Sequence, residues 1–206
     1  MLPALRPVLR LPHRAGAGHH PGQSLPERAG QPGRAGGQYL SVQPARRRLM
    51  PNIVLSRIDE RLIHGQVGVQ WVGFAGANLV LVANDEVAED PIQQNLMEMV
   101  LAEGIAVRFW PLQKVIDNIG KAADRQKILL VCKSPADFRT LVDGGVPIPR
   151  INVGNMHYAD GKRQIHKTVS VDESDIAAFR ALQDAHVACF VQGVPTEPAQ
   201  DIFNLI

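Results

Sequence analysis

The chain has 206 residues, room for one domain with a substantial core, and carries 22 Lys and Arg against 20 Asp and Glu. That balance hides an asymmetry: residues 1–49 hold eight Arg, no Lys and one acid, Glu27, which leaves 14 basic and 19 acidic residues in 50–206. A mildly acidic body without a basic cluster argues against nucleic-acid binding, and no apolar run approaches the roughly 18–20 residues of a membrane span, so the body reads as a soluble, cytoplasmic domain.

Residues 1–49 contain seven Pro and seven Gly. Such a composition cannot bury enough surface to offset chain entropy, and it predicts disorder. The Arg-rich, acid-poor character invites a transit-peptide reading, but Pro3, Pro7, Pro12, Pro21 and Pro26 interrupt the amphipathic helix such a peptide needs. A secretory signal needs a continuous apolar core, and Leu2 to Leu11 is broken by prolines and arginines. The expectation is a domain over 50–206 that starts at Met50, with 1–49 a leader arising from start-site choice.

From Asn52 onward, strand and helix patterns alternate. Strands are predicted at 52–57, 78–84, 105–110, 126–132, 150–154 and 187–192, mostly as continuous apolar runs of the kind found in sheets covered on both faces. Between them Val67, Trp71 and Phe74 form an i, i+4, i+7 stripe, and Ile92, Leu96, Met99 and Val100 form another behind an Asp90 cap and Pro91. Leu112, Val115, Ile116 and Ile119 follow Pro111 in the same way, and Ser134 to Asp137 resembles a capping box leading to Phe138, Leu141 and Val142. Asp172 to Ala185 carries Ile176, Phe179 and Leu182. Cys132 and Cys189 lie in apolar runs and read as buried free thiols.

Repeated strand–helix–strand units predict an α/β fold: a doubly wound, mostly parallel open sheet with helices on both faces. The segment 162–171 adds an extended piece, read as a hairpin that would give an antiparallel edge strand.

Ligands of such sheets bind at the carboxyl ends of the strands, which directs attention to 57–64, 84–90, 132–135, 154–162 and 192–197. The first is the richest. His64 stands at a helix start with Gly65 and Gln66, where unpaired N–H groups favour an anion. Arg61 offers a planar fork that matches phosphate oxygens, and Asp59 could orient the imidazole or Arg61. A neutral imidazole beside an anion site can attack phosphorus, making His64 a candidate nucleophile. Spacing alone leaves a second reading open, in which His64 packs or caps the helix start and Arg57, Asp59, Glu60 and Arg61 form a solvated turn. Gly161-Lys162 lacks the upstream glycine of a phosphate-binding P-loop. Gly73 and Gly76 follow a helix pattern rather than a strand, so they form no dinucleotide fingerprint.

Residues 57–67, Arg-Ile-Asp-Glu-Arg-Leu-Ile-His-Gly-Gln-Val, closely resemble the active-site loop of the IIB components of the mannose/fructose/sorbose class of bacterial sugar phosphotransferase systems. Asn84 to Ala88, Pro135, the run from Gly144 to Met156 and Val169 to Asp172 resemble further family segments. The resemblance spans 51–206 and none of 1–49. It implies a phosphotransferase subunit in which His64 takes a phosphoryl group from a IIA partner and passes it to a sugar delivered by membrane IIC and IID subunits. Arg61, Asp59 and the helix start at Gly65 and Gln66 would assist, with no metal or organic cofactor, and association into a homo-oligomer stays open. The run from Gln66 to Val72 looks most like members handling N-acetylgalactosamine or galactosamine. Asn155 stands where the family usually has glycine, and with His157 it could border the site. The rival reading is a non-catalytic module of the same fold that binds an anion or ligand on the His64 loop.

Overall fold

The computed structural model describes residues 50–206. The expected disorder of 1–49 therefore lies outside the described residues. Among the described residues nine strands form: β1 (Ile53–Asp59), β2 (Leu79–Ala83), β3 (Ala106–Trp110), β4 (Ile128–Cys132), β5 (Arg150–Asn155), β6 (Arg163–His166), β7 (Val169–Val171), β8 (Ala188–Val191) and β9 (Gln200–Asp201). Seven of them make one sheet in the order β3-β2-β4-β1-β5-β8-β9. All pairings are parallel except β8–β9.

The apolar runs become central strands because both faces are covered. Leu79, Leu81 and Ala83 of β2 enter one core with Phe138, Leu141, Phe179 and Leu182, whereas Val80 and Val82 enter the other with Val67 and Trp71. That split follows from the two-residue alternation of a strand. Both cysteines are buried and free, as expected. Burial pushes the Cys189 thiol up to about 12 and raises that of Cys132 well above its ordinary value.

Helices α4 (Leu112–Asn118), α5 (Pro135–Asp143) and α6 (Glu173–Asp184) start where the sequence signals stand. Ser134 and Asp172 each complete a reciprocal capping box with the carboxylate three residues on, Asp137 and Asp175. In α3 (Pro91–Glu98), Asp90 accepts from the N–H groups of Ile92 and Gln93 at 3.0 Å each.

Three expectations need correction. The stripe Ile92, Leu96, Met99 exists, but it faces solvent with 72 %, 61 % and 83 % exposure. Val100, the fourth residue of the predicted stripe, does pack against the core, together with Met97 and Leu101 of the neighbouring face. The helix after His64 is wound as a π-helix over Gln66–Trp71, closed by Val72 N–H on the Val67 carbonyl, before one α-helical turn, α1 (Val72–Ala75). And 163–171 does form a hairpin, but as a separate β6–β7 ribbon; the antiparallel edge of the main sheet is β9. A short helix α2 (Asp85–Ala88), capped by Asn84, fills the acidic turn after β2.

The topology selects one crevice. From β1 the chain moves towards β2 on one side, whereas from β5 it moves towards β8 on the other. The carboxyl ends of adjacent β1 and β5 are thus a topological switch point, where the connecting loops diverge and leave room for a ligand.

Candidate active site

Strand alternation puts Arg57 and Asp59 on one face of β1, and both side chains are fully buried. A buried charge pair persists only if its remaining donors and acceptors are met, and here they are. The Arg57 guanidinium donates to Asp59 Oδ2 from Nη2 at 2.8 Å and from Nε at 3.3 Å. It also donates to Asn152 Oδ1 and to the carbonyls of Gln192 and Gly193 at 3.3 and 3.4 Å. Its carbon lies 4.7 Å from the centroid of the Trp71 ring, whose indole N–H donates to the Gly193 carbonyl at 3.1 Å. Gly154 completes the cradle: a Cβ there would come within 1.9 Å of the guanidinium.

Held from behind, Asp59 presents its carboxylate to the loop. Oδ2 lies 3.1 Å from His64 Nε2, and Oδ1 accepts from the Arg61 backbone N–H at 3.3 Å. Burial raises the Asp59 carboxyl, but the hydrogen bond from His64 and the charge of Arg57 outweigh it and hold the group below its ordinary value. An ionised carboxylate only accepts. In the neutral ring the proton therefore sits on Nε2, and Nδ1 keeps its lone pair, which accepts from the Gln66 N–H at 3.4 Å.

Leu62 makes this geometry possible. It adopts φ +56°, its N–H bonds the Asp59 carbonyl at 2.8 Å, and the chain turns back so that His64 returns to Asp59. A non-glycine residue in the left-handed region costs on the order of 1–3 kcal/mol; the complete burial of Leu62 holds it there. Downstream, no side chain among the described residues caps the helix start, and the Gly68 N–H bonds the His64 carbonyl at 2.8 Å. The N–H groups of Gly65 and Gln66 precede that ladder. Arg61 is 44 % exposed, with its Nε 3.8 Å from Asp59 Oδ1, so its fork is open to an incoming anion.

The predicted residues thus come together where β1 ends: Asp59 closes the strand, Arg61 and His64 lie in the turn after it, and Gly65 and Gln66 open the helix. His157 joins through Glu60, whose Oε2 accepts from the His157 backbone N–H at 2.7 Å and lies 3.1 Å from its Nδ1. Asn155 is the register partner of Asp59 and its carbonyl accepts from Glu60 N–H at 3.1 Å. Its side-chain oxygen is buried without a hydrogen-bond partner among the described residues. Arg57, Trp71, Asn152 and Gly154 escaped the sequence reading as site residues. One signal was available: Arg57 and Asp59 are opposite charges two apart at the end of an otherwise apolar strand, a spacing that places them side by side. The arrangement sets an imidazole, oriented by a carboxylate, beside a helix start of the kind that favours anions.

A family profile described as "PTS system sorbose subfamily IIB component" matches residues 53–206. The chain is 85 % identical over 157 residues to the N-acetylgalactosamine-specific phosphotransferase enzyme IIB component 2 of Escherichia coli, covering 76 % of this chain and 100 % of that protein. Among solved structures, the N-acetylgalactosamine IIB component of Streptococcus pyogenes superposes with a TM-score of 0.73 at 48 % identity, over 76 % of this chain and 98 % of that one. The IIB domain of the sorbose permease of Klebsiella pneumoniae gives a TM-score of 0.70 at 33 % identity, over 74 % and 94 %.

Proposed function

Because the chain belongs to the sorbose subfamily of IIB components, phosphotransferase subunits of the sugar phosphotransferase system, we propose that His64 is its phosphoryl carrier and Nδ1 the attacking atom. The observation that carries this reading is the 3.1 Å contact between His64 Nε2 and the ionised Asp59 carboxylate. In the first step a bond forms between Nδ1 and phosphorus while the bond from phosphorus to the donor histidine of a IIA partner breaks. The imidazole gains positive charge as its lone pair is used, and Asp59, unable to move, stabilises that charge. Arg61 and the N–H groups of Gly65 and Gln66 take the phosphoryl oxygens. In the second step the bond from Nδ1 to phosphorus breaks as a hydroxyl of the sugar brought by membrane IIC and IID subunits bonds to phosphorus and gives up its proton to water, which returns His64 to its neutral form. N-acetylgalactosamine is the substrate we assign, on the names of the relatives and the run from Gln66 to Val72. The site of action is the cytoplasmic face of the membrane; among the described residues no helix is long and apolar enough to cross it.

The test is labelling from phosphoenolpyruvate through the general phosphocarriers and a matching IIA protein. One acid-labile, base-stable phosphoryl group is expected per chain. His64→Ala removes it, and His166→Ala and His186→Ala leave it intact. His157→Ala slows labelling without lowering its extent, because Glu60 loses its contact with the imidazole and keeps only the backbone N–H, while the nucleophile remains. Full labelling of His64→Ala would overturn the assignment, and an unlabelled wild type would favour non-covalent anion binding.

Arg61 gives a separate expectation. If the fork grips phosphate at two points, Arg61→Lys slows acceptance at least about tenfold, since an ammonium is a point charge. Its stability changes by less than about 0.5 kcal/mol, as for other exposed positions. Stopped-flow transfer rates and thermal melts measure the two effects independently.

A further inference from the structure

The β6–β7 ribbon lies outside the main sheet but is fixed to the end of β5. Met156 N–H donates to the Thr168 carbonyl and Ser170 N–H to the Met156 carbonyl, both at 2.9 Å. Where ribbon and strand end meet, a pocket of about 220 Å³ opens, lined by Asn155, His157, Tyr158, Gln164, Thr168 and Ser170. That is below the roughly 300–1,000 Å³ of sites for drug-sized ligands and suits one small ring. Asn155 stands opposite Asp59 in the β1–β5 pairing, and His157 holds Glu60, so the pocket adjoins the strand end that orients His64. Strand alternation turns the Asn155 side chain away from the face on which Gly154 meets Arg57.

The floor of this pocket is polar and unsatisfied. Asn155 is 9 % exposed and Ser170 2 %. Asn155 Oδ1 is buried without a partner, and among the described residues neither the Asn155 amide nitrogen nor the Ser170 hydroxyl enters a side-chain hydrogen bond. Buried polar groups are nearly always paired, so these point to a ligand that brings its own donors and acceptors. The charges decide which kind. The two lining groups able to carry charge at neutral pH are already occupied, Lys167 by Glu197 and His157 by Glu60 at 3.1 Å. What remains is the amides of Asn155 and Gln164 and the hydroxyl of Ser170, with the exposed Tyr158 ring at the mouth. That set matches a neutral ring carrying hydroxyls and an amide, whereas a phosphate or carboxylate would find no free cation there.

We propose that this pocket holds the acetamido end of the acceptor sugar, with the Asn155 amide against the sugar's amide and Ser170 against a ring hydroxyl. Asn155 thereby sets a preference for an N-acetylated hexosamine. A secondary amide carries one donor and one acceptor, the complement of a side-chain amide. The proposal deepens the functional reading above, from which it takes the substrate.

The test titrates the full chain with N-acetylgalactosamine, galactosamine and galactose, followed by the NMR signals of Tyr158 and by calorimetry. Saturable binding of N-acetylgalactosamine is expected with a Kd on the order of 1 mM, the range of a ligand of this size at an open site. Galactose and galactosamine lack the amide and bind at least about fivefold more weakly. Raising salt from about 0.05 to 0.5 M changes the affinity by less than about twofold, since no ion pair forms. Ser170→Ala and Tyr158→Ala each weaken binding about three- to tenfold, and Asn155→Ala does so and also removes the preference over galactose. Tyr158 is 67 % exposed, so its variant keeps the fold even where a buried one does not. In transfer through vesicles carrying IIC and IID, Asn155→Ala raises KM for N-acetylgalactosamine and keeps kcat, a split that a merely structural role would not give. The proposal is overturned by a wild type without saturable binding, by equal binding of galactose, or by an Asn155→Ala protein that binds and discriminates like the wild type. A wild type labelled on His64 that binds no sugar sinks the pocket alone. An unlabelled wild type that selects the N-acetylated sugar sinks the carrier reading and upholds the pocket.

Discussion

Asp59→Asn lowers the rate of phosphoryl acceptance by on the order of 10³–10⁴, the scale seen when a histidine loses the carboxylate that sets its tautomer. An amide placed 3.1 Å from His64 Nε2 can donate its N–H there, which moves the ring proton to Nδ1 and removes the lone pair. Single-turnover labelling measures the effect, and a rate within threefold of wild type would show that Asp59 does not set the tautomer. The same substitution leaves the fully buried Arg57 guanidinium without its counter-charge. Breaking a buried pair in this way costs about 3–5 kcal/mol, or a melting temperature lower by roughly 10 °C for a domain of this size. The effect depends on pH with a fixed sign. The folded Asp59 carboxyl lies below its unfolded value, so its contribution is complete above about pH 4 and is lost as the pH falls through the folded value. Wild type and variant should therefore differ most near neutrality and converge in acid, which chemical denaturation at several pH values would register.

Gly154→Ala is expected to destabilise the domain by about 2–3 kcal/mol, the range of an over-packed core. The added carbon would sit 1.9 Å from a guanidinium fixed by Asp59, Asn152 and two backbone carbonyls. The group has nowhere to retreat, since Trp71 lies on its face. If Arg57 is forced aside, Asp59 shifts with it, so acceptance should slow along with the loss of stability. A Gly154→Ala protein with an unchanged melting temperature would show that the cradle has more slack than its contacts indicate.

Much of this was legible in the sequence, for reasons that differ by element. The central strands were readable because burial on both faces leaves an uninterrupted apolar run, as in Leu79–Ala83. Helix starts were readable because caps are local: Asp90, Ser134 and Asp172 bond to amides two or three residues away. The outward direction of Ile92, Leu96 and Met99 was not readable, since periodicity gives a stripe without saying what covers it. The candidate site divides along the same line. His64, Asp59 and Arg61 lie within six consecutive positions, and their chemistry could be inferred from proximity in the chain. The cradle behind them joins Arg57 to Asn152, Gly154 and Gln192, about 95 to 135 residues away, and only the sheet order brings these together.

Asp59 is anchored on a central strand rather than on the loop that carries the imidazole, and that has a kinetic consequence. A relay subunit must release the group it has taken, so neither direction can be favoured by a large conformational descent. If Arg57, Trp71 and the β1–β5 pairing keep their contacts on transfer, little of the protein need reorganise when the phosphorus–nitrogen bond forms or breaks. The amides of residues 57–59 should then exchange with solvent hydrogen only by global unfolding, equally slowly in the free and phosphorylated forms, while the loop amides at 65–66 report which form is present.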